Sequence, residues 1–265
     1  MNMTSAGGSR NVTDLSGRVA VVIGGTSGLG RAIALGLAEC GADVVPTGRR
    51  GPLVSDTCAE IERLGRRTVV QTVDVLSRGS LDHLRDTVCA ELGGVDILVN
   101  AAGRTMRRPT MDVSEEEWGA ILDTNLSGTF YACQSFFSPL AKNGRGRVVN
   151  IASLTSFVAL HEVAAYGVSK AGVLALTRSL GTEWAPKGIN VNAIAPGVFR
   201  TDLNAALLDG TDRGRELLMR TPMGRFGRAE ELVGAAAFLA SDAASFITGQ
   251  TIVVDGGFLA SGVNS

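Results

Sequence analysis

The stretch RVAVVIGGTSGLGRAIALGLAECG, residues 18–41, joins an apolar run, a glycine-rich loop and a helix-like segment. The run Val19–Ile23 predicts a buried strand, and residues 31–40 have the periodicity of a helix. Four glycines lie between them: Gly24, Gly25, Gly28 and Gly30. In a chain with 34 glycines their spacing alone means little, but a strand before and a helix after are the context of a phosphate-binding loop. We therefore predict that this loop and the N-terminus of the helix bind a pyrophosphate.

Strands and helices alternate along the rest of the chain. Further strands are predicted in apolar runs within residues 42–47, 68–74, 95–100, 147–153, 188–195 and 250–257. No internal repeat or interdomain linker interrupts the pattern. Such alternation is typical of an α/β fold, a Rossmann-type doubly wound parallel sheet, here of about seven strands. We expect a flexible leader at residues 1–15 and a single dinucleotide-binding catalytic domain at residues 16–265.

Charge and composition narrow the class of protein. The 265 residues carry a net charge of −1 without a basic stripe, which argues against a nucleic-acid partner. No long apolar run predicts a membrane span or a signal peptide. The four cysteines lack CxxC spacing, and the two histidines, His83 and His161, stand far apart. We therefore expect reduced thiols, no metal site and a cytoplasmic protein that acts on a small-molecule substrate.

A second informative stretch is SLTSFVALHEVAAYGVSK, residues 153–170. Ser153 follows a predicted strand, so its hydroxyl should lie at the carboxyl edge of the sheet, where open α/β sheets bind ligands. Tyr166 and Lys170 are one turn apart in a predicted helix that begins at Ala164. A lysine beside a tyrosine favours the phenolate and lowers the phenol's pKa from about 10. A serine hydroxyl opposite a tyrosine can polarise one carbonyl oxygen, as hydride addition to a ketone requires.

Ordinary structural roles are the alternative for these side chains. Tyrosine and serine are common in helices and loops, and a lysine four positions on is often a solvated neighbour. The chain has only two tyrosines and three lysines, so a chance Tyr-x3-Lys pair has a probability of roughly a few per cent. Asn125, inside a predicted helix, is either a structural hydrogen-bonding residue or the holder of a water or backbone group near Lys170. We expect the catalytic interpretation to hold.

The end of the second predicted strand bears on the choice of coenzyme. Folds that prefer NAD place an acidic residue there, which binds the ribose 2′-hydroxyl. This chain has Gly48 and Arg49 instead, and a guanidinium suits a 2′-phosphate, so NADP(H) is favoured and NAD(H) is possible. An exposed surface arginine is the alternative. Asp74, at the end of the next strand, is placed to meet an adenine edge or to cap the following helix.

Together these motifs resemble the short-chain dehydrogenase/reductase family in its single-domain branch. The resemblance covers residues 15–257 and rests on Gly24-x3-Gly28-x-Gly30, Asn100-Ala-Ala-Gly103, Asn125, Ser153, Tyr166-x3-Lys170 and Pro196-Gly197. It implies that Tyr166 is the acid/base and that Ser153 orients the substrate oxygen. Lys170 would bind the nicotinamide ribose and lower the pKa of Tyr166, while Asn125 would complete a proton relay through water.

The resemblance also implies a set of coenzyme contacts along the sheet edge. The chain departs from the family at two of these motifs, where Ile23 replaces a Thr and Ala101 replaces a second Asn. Neither position takes part in the chemistry, so we expect an active enzyme. The implied contacts are Gly24, Thr26, Ser27, Gly28, Leu29, Gly30, Arg49, Asp74, Val75, Asn100, Ala101, Ala102, Gly103, Tyr166, Lys170, Pro196, Gly197, Val198 and Thr201.

Several stretches resemble the sugar-acid branch of the family, the gluconate 5-dehydrogenases and 2-deoxygluconate 3-dehydrogenases. They are Arg107-Arg108, NIASLTSF, EWAPKGINVNAIAPG and TPMGRFG, although that branch usually has Trp at the position of Phe258. The implied substrate is a sugar acid or polyol such as gluconate. A 3-oxoacyl-thioester reductase fits nearly as well. A cofactor-binding protein without turnover is a third possibility. The presence of all four residues implied in catalysis argues against it: Asn125, Ser153, Tyr166 and Lys170.

Substrate contacts and assembly are the least constrained features. Arg107 and Arg108 follow a predicted strand end, and one guanidinium could hold a substrate carboxylate while His161 bonds a hydroxyl. Both arginines could equally face solvent or a subunit contact. The family is commonly tetrameric, and the apolar run TIVVDGGFLASGV near the C-terminus is typical of a buried contact. We therefore predict a homotetramer.

Overall fold

Six parallel strands form one sheet in the computed structural model, which describes residues 12–201 and 204–263. The strand order is β2-β1-β3-β4-β5-β6, and all five pairings are parallel. The strands are β1 (Val19–Ile23), β2 (Asp43–Thr47), β3 (Ile97–Asn100), β4 (Gly146–Ile151), β5 (Ile189–Pro196) and β6 (Thr251–Val254). The predicted α/β fold with a doubly wound parallel sheet is therefore confirmed.

Helices connect the strands and cover both faces of the sheet. In β1, Ala20 and Val22 pack with α1 and α9, while Val21 and Ile23 pack with α3 and α5 on the opposite face. Because both faces of β1 are buried, this strand is a continuous apolar run rather than an alternating one. The helices are α1 (Gly28–Glu39), α2 (Gly51–Arg63), α3 (Arg78–Leu92), α4 (Glu115–Leu122), α5 (Gly128–Lys142), α6 (Ala164–Trp184), α7 (Ala205–Leu208), α8 (Asp212–Met219) and α9 (Val233–Ala240).

The segment 68–74 accounts for the difference between about seven predicted strands and six observed ones. It runs beside β2, and its approach is marked by a 3.1 Å hydrogen bond from Val44 N to Arg67 O. Beyond that bond the described backbone of residues 68–74 forms no regular strand. Pro46 lies two residues after Val44, so its nitrogen faces the same segment and has no hydrogen to donate. A proline in β2 thus interrupts the ladder on this edge.

The chain enters the sheet through a short ordered segment. Leu15 is fully buried, and its N–H donates to Cys40 O at 2.8 Å. The predicted leader, residues 1–15, overlaps this segment, but residues 1–11 lie outside the described part of the chain. The leader therefore stays a prediction.

A small cap lies over the carboxyl edge of the sheet. Within the described part of residues 201–227, α7 and α8 are separated at Gly210, whose φ is +69°. Leu208 and Leu217 of these helices pack with Leu154 and Phe258 in a cluster apart from the main core. The cap is therefore attached to the loop that follows β4.

The switch point of the sheet lies between β1 and β3. From β1 the chain passes to β2 on one side, and from β3 it passes to β4 on the other. At such a point the two connections diverge and leave a crevice outside the carboxyl ends of the strands, where ligands bind in open α/β sheets.

Two kinds of feature are not found among residues 12–201 and 204–263. No helix there is both long and apolar enough to cross a membrane. No group of three or more His, Cys, Asp or Glu side chains there is arranged to hold a metal ion.

Candidate active site

Ser153, Tyr166 and Lys170 meet at the carboxyl end of β4. The strand ends at Ile151, which puts Ser153 two residues beyond it. Helix α6 begins at Ala164, so Tyr166 lies in its first turn and Lys170 one turn later. Ser153 is 7% exposed and Lys170 is 5% exposed. The structure thus brings the three predicted side chains together in a buried environment.

The Ser153 hydroxyl is fixed by its own loop. Its Oγ accepts hydrogen bonds from Thr155 N at 3.1 Å and from Thr155 Oγ1 at 3.0 Å. These bonds make Ser153 the N-cap of the short 3₁₀ turn Leu154–Ser156. With both of these acceptor interactions satisfied locally, the hydroxyl hydrogen is available to the Tyr166 phenol, and the interaction with Ser153 lowers the pKa of that phenol.

The pKa values of Tyr166 and Lys170 correct one expectation. Burial raises the pKa of Tyr166, and the hydrogen bond from Ser153 opposes that rise only in part. The sequence predicted that Lys170 would lower it. Instead burial lowers the pKa of Lys170 itself to about 8, and its Nζ lies 5.8 Å from the centre of the Tyr166 ring. The ammonium is directed at a backbone group, since Nζ donates to Ile151 O at 2.6 Å. Desolvation is therefore the largest cause of both pKa shifts.

Asn125 occupies a turn of π-helix, Asp123–Ser127, between α4 and α5. Its fully buried side chain accepts from Arg104 N at 2.8 Å and donates to Arg104 O at 2.9 Å. It also donates to Ser169 Oγ at 3.0 Å. A Cβ on Gly103 would lie 3.3 Å from Asn125 Oδ1 and 3.6 Å from Lys170 Nζ. Asn125 thus joins the β3 loop to α6 beside Lys170, and its place in a proton relay stays a prediction.

The glycine loop has the shape that a pyrophosphate needs. Gly24 has φ of +83°, and a Cβ there would lie 2.5 Å from Ala102 N. A Cβ on Gly30 would lie 2.1 Å from Gly24 O, so α1 starts directly against the loop. Gly28, at the first position of α1, has φ of +51° and open space beside it apart from Thr201, 3.8 Å away. The backbone is therefore accessible at the helix N-terminus, as phosphate binding requires.

Two arginines follow β2 at the predicted coenzyme-selecting position. A Cβ on Gly48 would lie 3.2 Å from Thr26 Oγ1, so an acidic side chain there would press on the glycine loop. Arg49 is exposed at the end of β2, and its role as a ligand of a 2′-phosphate stays a prediction. Arg50, which that analysis missed, donates from Nη2 to Ser27 Oγ at 2.9 Å. The doublet Arg49-Arg50 was the available signal, and the structure ties its second member to the loop.

Comparisons with known proteins identify the family. A family model described as enoyl-(acyl carrier protein) reductase matches residues 24–259. The chain is 40% identical over 247 residues to 2-dehydro-3-deoxy-D-gluconate 5-dehydrogenase of Escherichia coli K12, which covers 93% of this chain and 97% of that protein. The chain belongs to the short-chain dehydrogenase/reductase family. The resemblance stated above is thereby confirmed.

Two further relatives of this short-chain dehydrogenase/reductase bear on its substrate. The 3-oxoacyl-acyl-carrier-protein reductase of Escherichia coli K12 is 38% identical over 246 residues, covering 92% of this chain and 98% of that protein. A gluconate 5-dehydrogenase of Burkholderia cenocepacia J2315, solved with NADP and tartrate, superposes with a TM-score of 0.91 at 36% identity, covering 95% of this chain and 98% of that chain. The family assignment makes the protein an oxidoreductase that acts on CH–OH groups.

Other predicted coenzyme contacts of the short-chain dehydrogenase/reductase divide into two groups. The first group lies at or just beyond the carboxyl ends of β3 and β5 and consists of Ala101, Ala102, Gly103, Pro196, Gly197 and Thr201. Thr26 and Leu29 support the loop from within, while Val75 and Val198 pack in apolar clusters. Their direct contact with a coenzyme stays a prediction.

Two polar members of the predicted set have local partners. The Asn100 side chain is directed into the protein, where its Nδ2 donates to Asn150 Oδ1 at 2.9 Å. The Asp74 carboxylate accepts from Leu76 N at 3.0 Å, while Ser77 caps α3. Asp74 thus holds the turn before the helix, while the predicted cap of α3 is Ser77 instead, and the contact of Asp74 with an adenine edge stays a prediction.

The predicted substrate arginines of this short-chain dehydrogenase/reductase are paired with carboxylates. Arg107 Nε lies 2.7 Å from Glu162 Oε2, and Arg108 Nη1 lies 3.2 Å from Glu117 Oε1. The His161 side chain is 80% exposed. Glu162, which the sequence analysis missed, has a left-handed φ of +66°, and its carbonyl accepts from Arg108 N at 2.8 Å. The loop before α6 thus holds the loop after β3.

A third arginine reaches the same place from α8. Arg213 Nη1 donates to His161 O at 3.4 Å. Sequence analysis missed it because the cap's contacts with the β4–α6 loop are not encoded in local periodicity. We refer to Arg107, Arg108 and Arg213 as the arginine cluster. It lies beside the loop that joins Ser153 to Tyr166.

Proposed function

We propose that the protein is an NADP-dependent dehydrogenase that interconverts a secondary alcohol and a ketone on a sugar acid such as gluconate. The observation that carries the proposal is the arginine cluster beside the loop that joins buried Ser153 to Tyr166. A sugar acid has a carboxylate at one end and its reacting hydroxyl several carbons away. The arginine cluster would bind the carboxylate, and Ser153 and Tyr166 would meet the hydroxyl. The names of the Escherichia coli and Burkholderia cenocepacia relatives support the same substrate class.

In this proposal the chain supplies proton transfer and orientation. Tyr166 exchanges a proton with the substrate oxygen, and Ser153 donates a hydrogen bond to that oxygen. When bound, the nicotinamide coenzyme accepts or supplies the hydride. Lys170 would bind the nicotinamide ribose. Asn125 holds the loop after β3 against α6 and would complete the proton relay. The small side chains Ala101 and Ala102 leave space for the coenzyme over the strand end.

NADP(H) is the proposed coenzyme, with NAD(H) as the second choice. The support is the basic pair Arg49-Arg50 at the end of β2, together with Gly48 in place of an acidic residue. We expect Arg49→Ala to weaken NADPH binding by roughly 10–150-fold, the loss of one charge-assisted hydrogen bond, with NADH little affected. Arg50→Ala should have a smaller effect of the same sign, because Arg50 is partly occupied by Ser27. Fluorescence titration with both coenzymes measures this, and a wild type that prefers NADH would refute it.

The second candidate function is reduction of 3-oxoacyl thioesters. The relative of that name at 38% identity favours it, and the arginine cluster would also suit an acidic acyl-carrier protein. The polarity of the substrate's carbon chain distinguishes the two candidate functions. A site built to hydrogen-bond several hydroxyls rejects an apolar acyl chain, because its buried polar groups would be left unpaired.

A spectrophotometric panel tests the proposed function. NADP⁺ is offered with gluconate and related sugar acids, and NADPH is offered with acetoacetyl thioesters. We expect the higher kcat/KM for a sugar acid. A higher kcat/KM for the thioester would replace the proposal by the second candidate, and turnover of neither class would reject both.

We also propose that the enzyme works as a homotetramer in the cytoplasm. Apolar side chains are exposed on the last strand and on two long helices, which we propose as the subunit contacts: Val253 on β6 is 39% exposed, Phe130 on α5 is 36% exposed and Val168 on α6 is 50% exposed. All four cysteines are free thiols, which fits a reducing compartment. Light scattering at micromolar concentration should give four times the mass of 27.5 kDa, and a monomer would contradict the assembly.

A further inference from the structure

Helix α8 presents one arginine to the loop that carries the reaction centre. Arg213 and Leu217 are one turn apart, so they share a face of α8. Leu217 is 8% exposed and packs in a cluster with Leu154, Leu160 and Phe258. That cluster joins the cap to the β4–α6 loop. The same face of α8 therefore brings the Arg213 guanidinium to this loop, where it contacts His161 O at 3.4 Å.

The charges around Arg213 leave a positive excess. Arg107, Glu162 and Glu216 interact with it electrostatically, and Glu162 is already paired with Arg107 Nε at 2.7 Å. Among the described residues, no carboxylate oxygen lies within 4.0 Å of the Arg213 guanidinium, whereas Arg107 and Arg108 each have one. Two of the three cationic groups of the arginine cluster are thus neutralised within the chain. Partial burial and the charge of Arg107 lower the pKa of Arg213, as expected for a cation without a close counter-ion.

The three arginines also differ in how they are held. Arg107 is bound to the side chain of Glu162, and the adjacent Arg108 N–H is bound to the Glu162 carbonyl at 2.8 Å. Glu162 adopts its left-handed φ of +66° while making both contacts. Arg107 and Glu162 are therefore held in place by each other and by the backbone of the two loops. Among the residues that the structure describes, Arg213 is held by its long bond to the His161 carbonyl and by the packing of α8, so its guanidinium remains open to an anion.

We propose that Arg213 is the specificity-determining residue that binds the carboxylate of the substrate, and that Arg107 is a positioning residue held by Glu162. This inference rests on the proposed sugar-acid function. Val163 is the N-cap of α6 and Tyr166 lies in the first turn of that helix, which rises about 5 Å. Binding of the carboxylate beside residues 161–162 would leave the reacting hydroxyl several carbons away, toward Tyr166. Residues on the cap, rather than those after β3, would then select acids over neutral polyols.

Steady-state kinetics with a matched pair of substrates tests the inference. The full-length enzyme is assayed with NADP⁺ and either D-gluconate or the neutral polyol D-sorbitol. We expect Arg213→Ala to raise KM for gluconate by roughly 10–100-fold with kcat little changed, because an interaction present in both ground and transition states is lost. Arg213→Lys should recover part of the loss, since it keeps the charge without the fork. Activity on sorbitol should not change.

Arg215→Ala is the control variant. Arg215 lies two residues away on the same helix, is exposed, and is paired with Asp212. Its gluconate KM should match that of the wild type. The melting temperature and the dissociation constant for NADPH should be the same in all variants, which excludes collapse of the cap as the cause.

The outcomes separate the two proposals. If the wild type oxidises gluconate and Arg213→Ala has an unchanged KM, the inference is overturned and the proposed function stands. Equal losses on gluconate and sorbitol would show that Arg213 only supports the cap, which also overturns it. If the wild type does not act on sugar acids at all, the proposed function fails and the inference fails with it.

Discussion

The reaction centre and the arginine cluster lie beside each other but differ in what controls their charge. Ser153 and Lys170 are almost completely buried, and desolvation lowers the pKa of Lys170 to about 8. Arg107 and Arg108 are 43% and 47% exposed in their side chains and are neutralised by ion pairs. In the reaction centre, burial is the main cause of the pKa shifts, so the charge state of each group depends strongly on the exclusion of solvent. In the arginine cluster, solvent screens the pairs, and geometry rather than pKa decides what the region can bind.

This difference shows why the reaction centre is suited to proton transfer and the arginine cluster to binding an anion. A buried group can be tuned for proton transfer, because small changes in its surroundings change its pKa. An exposed arginine keeps its charge under all ordinary conditions and serves as a binding fork. Substitutions in the reaction centre should therefore affect kcat and stability, while substitution of Arg213, the member of the arginine cluster without a paired carboxylate among the described residues, should affect KM.

The largest expected effect is that of Tyr166→Phe. The change keeps the ring and removes the ionisable hydroxyl, so kcat should fall by the roughly 10²–10⁴-fold typical of losing a general acid/base. The dissociation constant for NADPH should be unchanged. Tyr131→Phe, at the other tyrosine of the chain, is the control and should retain activity. A Tyr166→Phe enzyme with near-normal kcat would place proton transfer elsewhere.

An intermediate effect is expected for Lys170→Met, in the pH dependence of stability. The folded pKa of Lys170, about 8, is below its ordinary 10.5, so the unfolded chain binds more protons between these values. The free energy of unfolding of the wild type should therefore rise by about 3 kcal/mol as the pH rises through that window. Below pH 8, Lys170 is charged in both states, and the cost of burying its charge lowers the free energy of unfolding by the same amount.

Lys170→Met removes this dependence, so the variant's stability relative to the wild type should decline by that amount between pH 8 and 10.5. Urea unfolding at several pH values measures the difference. Loss of the bond to Ile151 O shifts the variant's stability by a constant and leaves the slope intact. Lys142→Met, at an exposed lysine, is the control for loss of a lysine side chain. A flat difference for Lys170→Met would mean that Lys170 is not desolvated.

The smallest effect is expected for Arg108→Ala. Its pair with Glu117 is largely exposed, and such pairs contribute roughly 0–1 kcal/mol. The free energy of unfolding should fall by no more than that, and kcat/KM for gluconate should change by less than about threefold. Differential scanning calorimetry and the NADP⁺-linked assay check both values. A tenfold loss would make Arg108 a substrate ligand and would weaken the contrast between the cluster members.

Sequence patterns alone predicted the features that depend on local spacing. The strand, glycine loop and helix at residues 18–41 predicted the α/β fold, because a buried parallel strand must be continuously apolar and a phosphate loop must be free of side chains. The start of α6 at Ala164 and the placement of Tyr166 and Lys170 on one face followed from helical periodicity. Ser153 at the end of β4 followed from the apolar run before it.

Only the tertiary structure decided the features that depend on contacts distant in sequence. Glu162 and Arg107 are paired across two loops, and Arg213 reaches His161 across 52 residues. Desolvation raised the pKa of Tyr166 against the local expectation, because burial is set by the whole fold and not by the neighbour one turn away. Pro46 removed a predicted strand pairing, since a ladder needs a donor at the right place as well as an apolar run. Local spacing thus placed the chemical groups, while long-range packing determined their charge, partners and accessibility.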